Sequence, residues 1–542
     1  MAQAVSPSWV FLTDKTDPDG RRLDWPSPEA LRPGPMLRLP LTAAHLRRVE
    51  AVGAPVVGHS RWFNAVAVAA AADQLAQLES LDCVRAVRPG ALLQPAPTPA
   101  EAPPALRPAA THADYGFSFD QLAAIGLTRL HQAGYRGAGV RIAVLDAGFN
   151  WRDHAALADL RVVATRDFIN GDDEVGDEDD EPVTGQEALT GQNEHGTQVL
   201  SVLAADQPGA LIGAAPEAEY ILAKTEEKER EEPVEEYRWV EALEWADSLG
   251  ADVVSSSVGW EVGLGYEWTD LDGRTALATR AAELAVASGV VVVSAAGNEG
   301  DKEWRYVTVP ADGAGVISVG AVSARLRTAG GYEVLIAPFS SRGPTADGRI
   351  KPDVVAPGIG VYAVADDGAA TQGYTWVRGT SFAAPLVSGL CAILLQAHPD
   401  WSPEAVADAL RHTAADQGAA GPDTVFGWGL VDGVRASGLE LGEPPATVIS
   451  SPYPNPALVA GGPAFVHFPM ELSARQAVAL EVYDLSGSPV DEVQPMWLEA
   501  GSYTQPQRAV RWEVPAGLAS GLYLYRLRVG DVSRRGKVAV IR

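Results

Sequence analysis

The sequence predicts an α/β protein whose main body is a parallel sheet with helices on both faces, preceded by a small α/β domain and followed by a β-sandwich. Three observations support this architecture. Through the middle of the chain, apolar strand-like runs alternate with helical patterns, which is typical of a parallel sheet covered by helices. A shorter mixture of both patterns precedes this part. After it, apolar and polar positions alternate between turn signals, as in the strands of a sandwich.

The composition limits the partners. The 542 residues are enough for three or four domains of about 150 residues each. Because 70 acidic residues outnumber 42 basic ones, the formal charge is -28, and nucleic acid is not an expected partner. No run of about 18 or more apolar residues appears, so we expect no membrane span. Cys83 and Cys391 fall in different predicted domains, and we expect no disulfide between them.

Residues 8–90 are predicted to form the small α/β domain. The helices expected at 43–52 and 71–81 carry apolar residues at helical spacing. Strands are expected at 9–12, 36–39, 63–68 and 84–88. Residues 91–113, rich in Pro and Ala, predict an extended linker without a packed core.

Residues 114–440 are predicted to form the central domain. Strands are expected at 251–256, 290–295 and 316–322, and helices at 235–249 and 275–288. A glycine closes each helix. The insertion at 170–181 is densely acidic, and oxygen ligands at this density could hold a structural calcium ion. Its spacing matches no EF-hand loop, however, and runs of charge are usually solvated.

Four polar residues stand where chemistry is often placed in such folds. Asp146 ends an apolar run, His195 opens a helix, and Asn298 follows a buried strand on a Gly-flanked loop. Ser381 lies in residues 379–385 (GTSFAAP) at a helix N-terminus, where unpaired N–H groups favour developing negative charge. Each alone is explained equally well as a cap, turn or αL residue. Their order, however, is one in which an Asp-His-Ser triad is built.

These motifs make the chain resemble the subtilisin-like serine protease (subtilase) family, from roughly residue 115 to residue 434. Further family-like segments are 339–344 (FSSRGP), 351–358 (KPDVVAPG) and 427–429 (GWG). The resemblance implies a serine endopeptidase that hydrolyses protein or peptide substrates through an acyl-enzyme. Asp146, His195 and Ser381 would form the triad, and Asn298 would donate to the oxyanion. No cofactor is expected for the chemistry.

The resemblance also implies two segments that bind substrate backbone. One would add the peptide to an edge strand, and the other would line the pocket for the residue before the cut. The predicted substrate-binding residues are Lys224, Thr225, Ser255, Ser256, Ser257, Val258, Gly259, Ala296 and Gly297. Trp260 would either narrow the pocket or pack beside it. Ala147 and Phe382 depart from the residues commoner in the family, but neither affects the triad.

By the same resemblance, residues 8–90 would be an inhibitory propeptide that acts as an intramolecular partner. An unrelated interaction domain is the alternative. We expect a processing cut between about Pro108 and Tyr115. Residues 1–5 lack the basic head and apolar stretch of a signal peptide. We nevertheless expect a secreted or cell-surface protein, which would be a monomer.

A linker at 441–450 is predicted to lead to an immunoglobulin-like sandwich at 451–542. Strands are expected at 478–483, 523–529 and 532–541. Three short segments, 453–456 (YPNP), 482–487 (VYDLSG) and 521–525 (GLYLY), resemble the sorting domains of type IX-secreted proteins. They resemble the flagellar-hook capping fold equally well, and a stabilising or substrate-binding accessory domain is a further alternative.

Two competing functions remain open from the sequence. A non-catalytic cell-surface or scaffold protein could keep the protease fold, and loss of a triad residue would favour it. An acid-active relative would use a Ser-Glu-Asp arrangement, but His195 is a base suited to near-neutral pH. Metal catalysis is not expected, because the sequence contains no His-Glu-x-x-His motif.

Overall fold

The structure is a computed structural model, and the parts of the chain that it describes cover most of all three predicted domains. They are residues 7–17, 21–26, 37, 39–89, 115–176, 193–227, 234–260, 266–326, 332–366, 373–441, 447–459, 464–472, 476–498, 501–504, 509–529 and 532–542. The predicted linker 91–113, nearly all of the expected processing region, residues 442–446 and the acidic residues 177–181 lie outside the described residues.

The N-terminal domain contains a four-stranded antiparallel sheet, two helices and a separate hairpin. Its elements are β1 Pro7–Leu12, β2 Asp14–Thr16, β3 Arg22–Asp24, α1 Ala43–Glu50, β4 Val56–Ser60, β5 Ala65–Ala69, α2 Ala72–Glu79 and β6 Val84–Pro89. The strand order is β4-β5-β1-β6. The predicted strand at 36–39 is wrong at both of its described positions, because Leu37 and Leu39 lie outside any strand. β4 was missed, since a Gly-His pair interrupts its apolar pattern.

The central domain is built on an eight-stranded sheet in the order β15-β14-β13-β12-β7-β11-β8, with β16 also paired to β14. Among the described strands of this sheet, only β15 runs antiparallel to its neighbour. The helices are α3 Phe119–Ala123, α4 Leu127–Gln132, α5 Glu194–Ala204, α6 Val234–Ser248, α7 Leu277–Ala287, α8 Thr380–Ala397, α9 Pro403–Thr413 and α10 Gly433–Ser437. The strands are β7 Arg141–Asp146, β8 Arg161–Asp167, β9 Asp206–Gln207, β10 Leu211–Ile212, β11 Glu219–Lys224, β12 Val253–Ser256, β13 Val291–Ala295, β14 Ile317–Leu326, β15 Tyr332–Ile336, β16 Val354–Pro357, β17 Ile359–Ala365 and β18 Gly373–Arg378.

Helices cover both faces of this sheet, as predicted. Successive side chains of a strand point to opposite faces, and β7 illustrates the consequence. Ile142 and Val144 belong to the core that contains α5 and α8, whereas Ala143 and Leu145 belong to the core that contains α6 and α7. Within the described residues, α8 is the one helix long and apolar enough to cross a membrane, but 83% of it is buried inside this domain. It therefore serves as a core helix in this fold.

A buried histidine on α4 should make the central domain sensitive to acid. Burial lowers the pKa of His131 to about 4, while its ring stacks on Tyr115 and its Nε2 lies 2.9 Å from the Ala214 carbonyl oxygen. The unfolded state then binds more protons between pH 4 and about 6.5, so stability falls as the pH drops through that window, by up to about 3 kcal/mol. We expect His131→Gln to reduce the loss of stability measured by urea unfolding between pH 7 and pH 4.5.

The matched control is His412→Gln, because His412 is exposed on α9. This control should leave the pH dependence of unfolding unchanged. An unaltered pH dependence in the His131 variant would show that other groups cause the acid sensitivity.

The C-terminal domain is a sandwich of short sheets around one apolar core. A five-stranded sheet, β20-β28-β27-β23-β24, packs with the sheets β19-β22-β25 and β21-β26. The strands are β19 Thr447–Ile449, β20 Ala457–Leu458, β21 Phe465–Phe468, β22 Met470–Leu472, β23 Gln476–Tyr483, β24 Pro489–Leu498, β25 Gly501–Ser502, β26 Val510–Glu513, β27 Gly521–Val529 and β28 Val532–Ile541. The three strands predicted from alternation correspond to β23, β27 and β28.

The N-terminal domain packs on α6 of the central domain. The Trp9 ring meets the Tyr237 ring edge-on, with centroids 4.4 Å apart, inside a continuous apolar core. Beside this contact, the buried Glu244 carboxylate accepts hydrogen bonds from the Ser60 hydroxyl and the Trp62 backbone N–H, at 2.5 and 3.1 Å. The Arg61 N–H donates to the same carboxylate at 2.8 Å. A carboxylate of the central domain thus holds one turn of the N-terminal domain.

Candidate active site

A hydrogen-bonded Asp–His couple lies at the carboxyl end of the central sheet. Asp146 is the last residue of β7, and its side chain is fully buried. His195 lies in the first turn of α5, and its Nδ1 is 2.7 Å from Asp146 Oδ1. The same oxygen accepts the Ala147 backbone N–H at 2.8 Å. An acceptor at Nδ1 favours the tautomer that carries its proton there, which leaves Nε2 as the basic nitrogen.

Two glycines allow α5 to approach β7 this closely. A Cβ on Gly196 would lie 2.1 Å from the Gly148 carbonyl oxygen and 3.1 Å from Asp146 Oδ1. Gly148 has φ +123°, and a Cβ there would lie 1.9 Å from Asn193 Oδ1. The glycine that follows His195 therefore has a steric reason in this structure.

We expect Gly196→Ala to lower kcat/KM by at least about 100-fold, because the new methyl group must push α5 and the imidazole away from Asp146. A displacement of about 1 Å at a catalytic group can cost that much. The variant should also melt at a lower temperature. Steady-state kinetics and thermal unfolding measure both effects.

The control is Gly517→Ala, since a Cβ at Gly517 would have no atom within 4 Å and Gly517 has no positive φ. It should change neither activity nor melting temperature. Wild-type activity in the Gly196 variant would mean that the close approach is not needed.

Ser381 is the second residue of α8 and is 7% exposed. Its hydroxyl donates to the Ser257 carbonyl oxygen at 3.2 Å, and the Ser257 hydroxyl donates back to the Ser381 carbonyl oxygen at 2.8 Å. The neighbouring Phe382 ring lies 5.7 Å from the His195 ring. The start of α8 is therefore beside the Asp–His couple, and the first N–H groups of a helix have no acceptor within the helix.

Asn298 is fixed by the start of the same helix. Its Oδ1 accepts the backbone N–H and the hydroxyl of Thr380, at 2.9 and 3.1 Å. The Thr380 hydroxyl in turn accepts the Gly297 N–H at 3.2 Å. Because the oxygen of the carboxamide is committed, its Nδ2 is the group left to donate on the exposed side of the residue.

A polar network behind His195 was not predicted from the sequence. Asp366, which follows β17 and is 8% exposed, accepts the Asn150 amide and the Thr197 hydroxyl, each at 2.9 Å. Thr197 also accepts the Asn150 backbone N–H at 2.9 Å, and the Asn193 amide donates to Asn150 Oδ1 at 3.3 Å. These contacts fix the first turn of α5. In the sequence, each of these residues is a single polar residue beside a Gly or a strand end. The same local pattern is typical of a turn, so it does not indicate a network.

The predictions for two substrate-binding residues need correction. Lys224 ends β11, which lies between β7 and β8 and is not an edge strand. Its side chain is fully buried, with Nζ 3.3 Å from Asp167 Oδ2, and its carbonyl oxygen accepts the Phe168 N–H. Thr225 is 1% exposed, and its N–H donates to the Asp146 carbonyl oxygen. Both residues serve the sheet and present no surface to a substrate.

Ser255 and Ser256 are corrected in the same way. Both lie inside β12, fully buried, and pair with β7 and β13. The Ser255 hydroxyl hydrogen-bonds to that of Ser388 at 2.9 Å, and the Ser256 hydroxyl accepts the Trp239 Nε1–H at 3.0 Å. They attach β12 to the helices on either side of the sheet.

The other predicted substrate-binding residues lie in two loops that meet beside Ser381. Of these residues, Ser257, Val258 and Ala296 are buried, whereas Gly259 is exposed and Gly297 is half-buried. The structure distinguishes the two roles considered for Trp260, because its ring packs edge-on against Trp239, with centroids 6.0 Å apart. Trp260 is 6% exposed and packs in the core. Backbone binding at Gly259 and Gly297 stays a prediction.

The structure leaves the calcium prediction untested. In the parts of the chain that it describes, no group of three or more His, Cys, Asp or Glu side chains converges as a metal site. Of the acidic run at 170–181, the structure describes residues 170–176. Cys83 and Cys391 are buried and free, as expected.

Fold and site together define a subtilisin-like serine endopeptidase, and comparison with known proteins agrees. Residues 137–429 match the Subtilase family, and residues 38–101 match the peptidase S8 propeptide domain of Bacteroidota. The chain belongs to the subtilase family. With that propeptide domain, it is a serine protease made as a precursor.

Individual relatives support the same assignment. The chain is 31% identical over 306 residues to Subtilisin DY of Bacillus licheniformis, an alignment that covers 56% of this chain and 93% of the relative. The identity to Subtilisin E of Bacillus subtilis (strain 168) is also 31%, and that alignment covers 56% of this chain and 67% of Subtilisin E. Fervidolysin from Fervidobacterium pennivorans has a similar fold, with a TM-score of 0.56 and 21% identity, covering 96% of this chain and 70% of fervidolysin.

Proposed function

We propose that the protein hydrolyses peptide bonds through an Asp146–His195–Ser381 triad and an acyl-enzyme. The main support is the 2.7 Å contact between His195 Nδ1 and Asp146 Oδ1, beside the helix start that carries Ser381. Ser381 Oγ attacks the scissile carbonyl carbon while His195 Nε2 takes its proton. The imidazolium then returns that proton to the leaving amine. Water then attacks the acyl-enzyme, with His195 Nε2 again as the base, and the carboxylic acid product leaves Ser381.

The oxyanion of each tetrahedral intermediate needs hydrogen-bond donors placed in advance. Asn298 Nδ2 and the Ser381 backbone N–H are the donors we propose. The commitment of Asn298 Oδ1 to Thr380 supports this choice, because it leaves the amide nitrogen to face a substrate. The N-terminus of α8 adds a favourable field for negative charge.

Hydrolysis of unfolded casein tests the proposal. We expect cleavage at pH about 7–9, where a histidine base is neutral, and complete inhibition by a serine-directed phosphonate. Mass spectrometry of the inhibited protein should place the adduct on Ser381. A folded, processed sample that neither cleaves casein nor takes up the phosphonate would favour the non-catalytic scaffold.

We also propose that the N-terminal domain inhibits the precursor from within. Replacement of Glu244 by Ala should weaken the binding of the N-terminal domain to the central domain by roughly 100-fold. Three donors of the N-terminal turn would lose their acceptor, and each buried donor left unpaired costs about 1–3 kcal/mol. The lag before full activity in a casein time course should therefore shorten.

Ser248→Ala is the control on the same helix. The Ser248 side chain is exposed, and its hydroxyl donates to the Trp245 carbonyl oxygen of its own helix at 2.7 Å. The lag of this control should stay near that of the wild type. Equal lags in both variants would argue against inhibition through the Glu244 contact.

Secretion and sorting complete the proposal. We propose that this propeptide-bearing subtilase acts outside the cell that makes it, and that the C-terminal sandwich directs its export or retention at the surface. Its segments YPNP, VYDLSG and GLYLY support a sorting role. Deletion of residues 447–542 should then leave the protease inside the producing cell, as measured by immunoblot of cell and medium fractions.

A further inference from the structure

We propose that the outer face of the five-stranded C-terminal sheet binds the same face of a second copy of this chain. This departs from the monomer expected from the sequence. The inference rests on one row of charges that runs across four strands and on the apolar side chains beside it. It is independent of the catalytic proposal.

The charge row consists of Glu492 on β24, Glu481 on β23, Arg526 on β27 and Arg535 on β28. The register places each directly opposite the next: Glu481 with Glu492, Glu481 with Arg526, and Arg526 with Arg535. Residues that pair directly point to the same face. That face is the outer one, since the alternating residues Leu480, Val482, Tyr525 and Leu527 are buried in the core.

Within one copy this order is unfavourable at both ends. Two glutamates are neighbours on one side and two arginines on the other, and like charges directly opposite destabilise a sheet. The central pair is satisfied, because Arg526 and Arg528 both donate to Glu481. Glu492 and Arg535, at the two ends, have no salt-bridge partner among the described residues. The row therefore ends in one unpaired charge of each sign.

A second copy supplies the missing partners. Consider a two-fold axis that is parallel to the strands and passes between β23 and β27. It reverses the row, so that Glu492 of each copy faces Arg535 of the other and Glu481 faces Arg526. The neighbouring row on the same face contains Tyr483 on β23 and Leu524 on β27, which are directly opposite within one copy. The same two-fold axis places Tyr483 of each copy against Leu524 of the other. Such an interface is self-complementary, as a two-fold dimer requires.

Exposed apolar side chains on the same face favour burial of this face in an interface over its exposure to water. Trp497, Leu522 and Ile541 are 66%, 46% and 46% exposed, and their register places them on the face of the charge row. Four long strands about 4.8 Å apart and about 30 Å long cover about 600 Å² on each copy. Two such faces bury about 1,200 Å², the lower end of specific interfaces.

The charge balance favours this domain as the contact between two acidic proteins. Residues 447–542 contain nine Lys or Arg and eight Asp or Glu, whereas the whole chain contains 42 and 70. The strong negative charge thus resides in the other domains, and salt at physiological concentration screens exposed charges that are more than about 8 Å apart. Two copies repel each other least through the C-terminal sheet.

Sedimentation of charge-swap variants tests the interface. The full chain would carry Ser381→Ala to prevent self-cleavage, and we expect a dimer at about 20 μM protein in about 0.15 M salt. Glu492→Arg and Arg535→Glu should each weaken dimerisation at least tenfold, because each places like charges across the interface twice. An equimolar mixture of the two variants should restore the dimer, and so should the double variant Glu492→Arg/Arg535→Glu.

Misfolding cannot imitate this result, since each single change relieves a like-charge pair within its own copy. The melting temperature of each single variant should therefore stay the same or rise. Retained dimers in both single variants, or no dimer in the mixture, would overturn the proposal. A Ser381→Ala chain that stays monomeric at about 100 μM in the same salt would also overturn it, and binding of a sulfated polysaccharide through Arg535 would then assign this face to an anionic polymer.

Discussion

Ser381→Ala should lower kcat by about 10⁶-fold, the loss known for removal of the nucleophile of subtilisin itself. Alanine has no atom that can form the acyl bond, and the remaining activity would come from oxyanion stabilisation and binding. The start of α8 should survive the change, because the Ser257 hydroxyl still donates to the carbonyl oxygen of residue 381. Single-turnover kinetics on a chromogenic peptide measure the loss. Intact mass should show the uncut precursor.

Ser388→Ala is a strict control, because Ser388 is a fully buried serine on the same helix. Its hydroxyl hydrogen-bonds to Ser255 and to the Ala384 carbonyl oxygen, at 2.9 and 3.0 Å. Its removal should cost about 1 kcal/mol of stability and leave kcat within a few-fold. Activity within tenfold of wild type in the Ser381 variant would exclude Ser381 as the nucleophile.

The sequence predicted the parts of the fold that depend on local pattern. The apolar runs ending at Asp146 and Ala295 are buried on both faces, so their composition identifies them as central strands. Helices α6 and α7 are closed by Gly250 and Gly289, which have positive φ. The order of the four polar residues at element ends was then enough to predict one cluster.

The sequence did not reveal which strand lies at the edge of the sheet. β8 has the sequence RVVATRD, and most of its side chains are at least partly exposed. Such a mixed pattern gives no strand signal, and nothing in the sequence corrected the edge-strand role that the resemblance implied for the segment at Lys224. Once β8 pairs with β11, Lys224 is enclosed and needs Asp167 as a counter-ion. Long-range pairing therefore decided the role of Lys224.

The network around Asp366 could not be predicted for a related reason. Asp366 lies 169 residues from Thr197 and 216 residues from Asn150 in the sequence. A lone carboxylate after a strand has the same local pattern as an Asx turn. Only the packing of β17 against α5 brings these residues together.

Asp146→Asn should lower kcat/KM by about 10⁴-fold near pH 7 while the protein stays folded; losses of this size are known for the equivalent change in this type of triad. Asp146 Oδ1 accepts from both Ala147 and His195. The amide oxygen can take that position, so the geometry should be kept. The amide nitrogen then occupies the position of Oδ2, which has no hydrogen-bond partner among the described residues. What is lost is the negative charge that stabilises the imidazolium.

Asp167→Asn should lower stability and leave kcat nearly unchanged, which is the opposite of the result expected for Asp146→Asn. The pair therefore separates a catalytic carboxylate from a structural one. Asp167 ends β8 as Asp146 ends β7, and both side chains are fully buried. Asp167, however, neutralises the buried Lys224, and removal of one partner of a buried ion pair costs about 3–5 kcal/mol. We expect this variant to unfold at lower urea while the folded fraction retains near-normal kcat. If the two variants behaved alike in both assays, Asp146 would be a second structural carboxylate and the triad would have no acidic member.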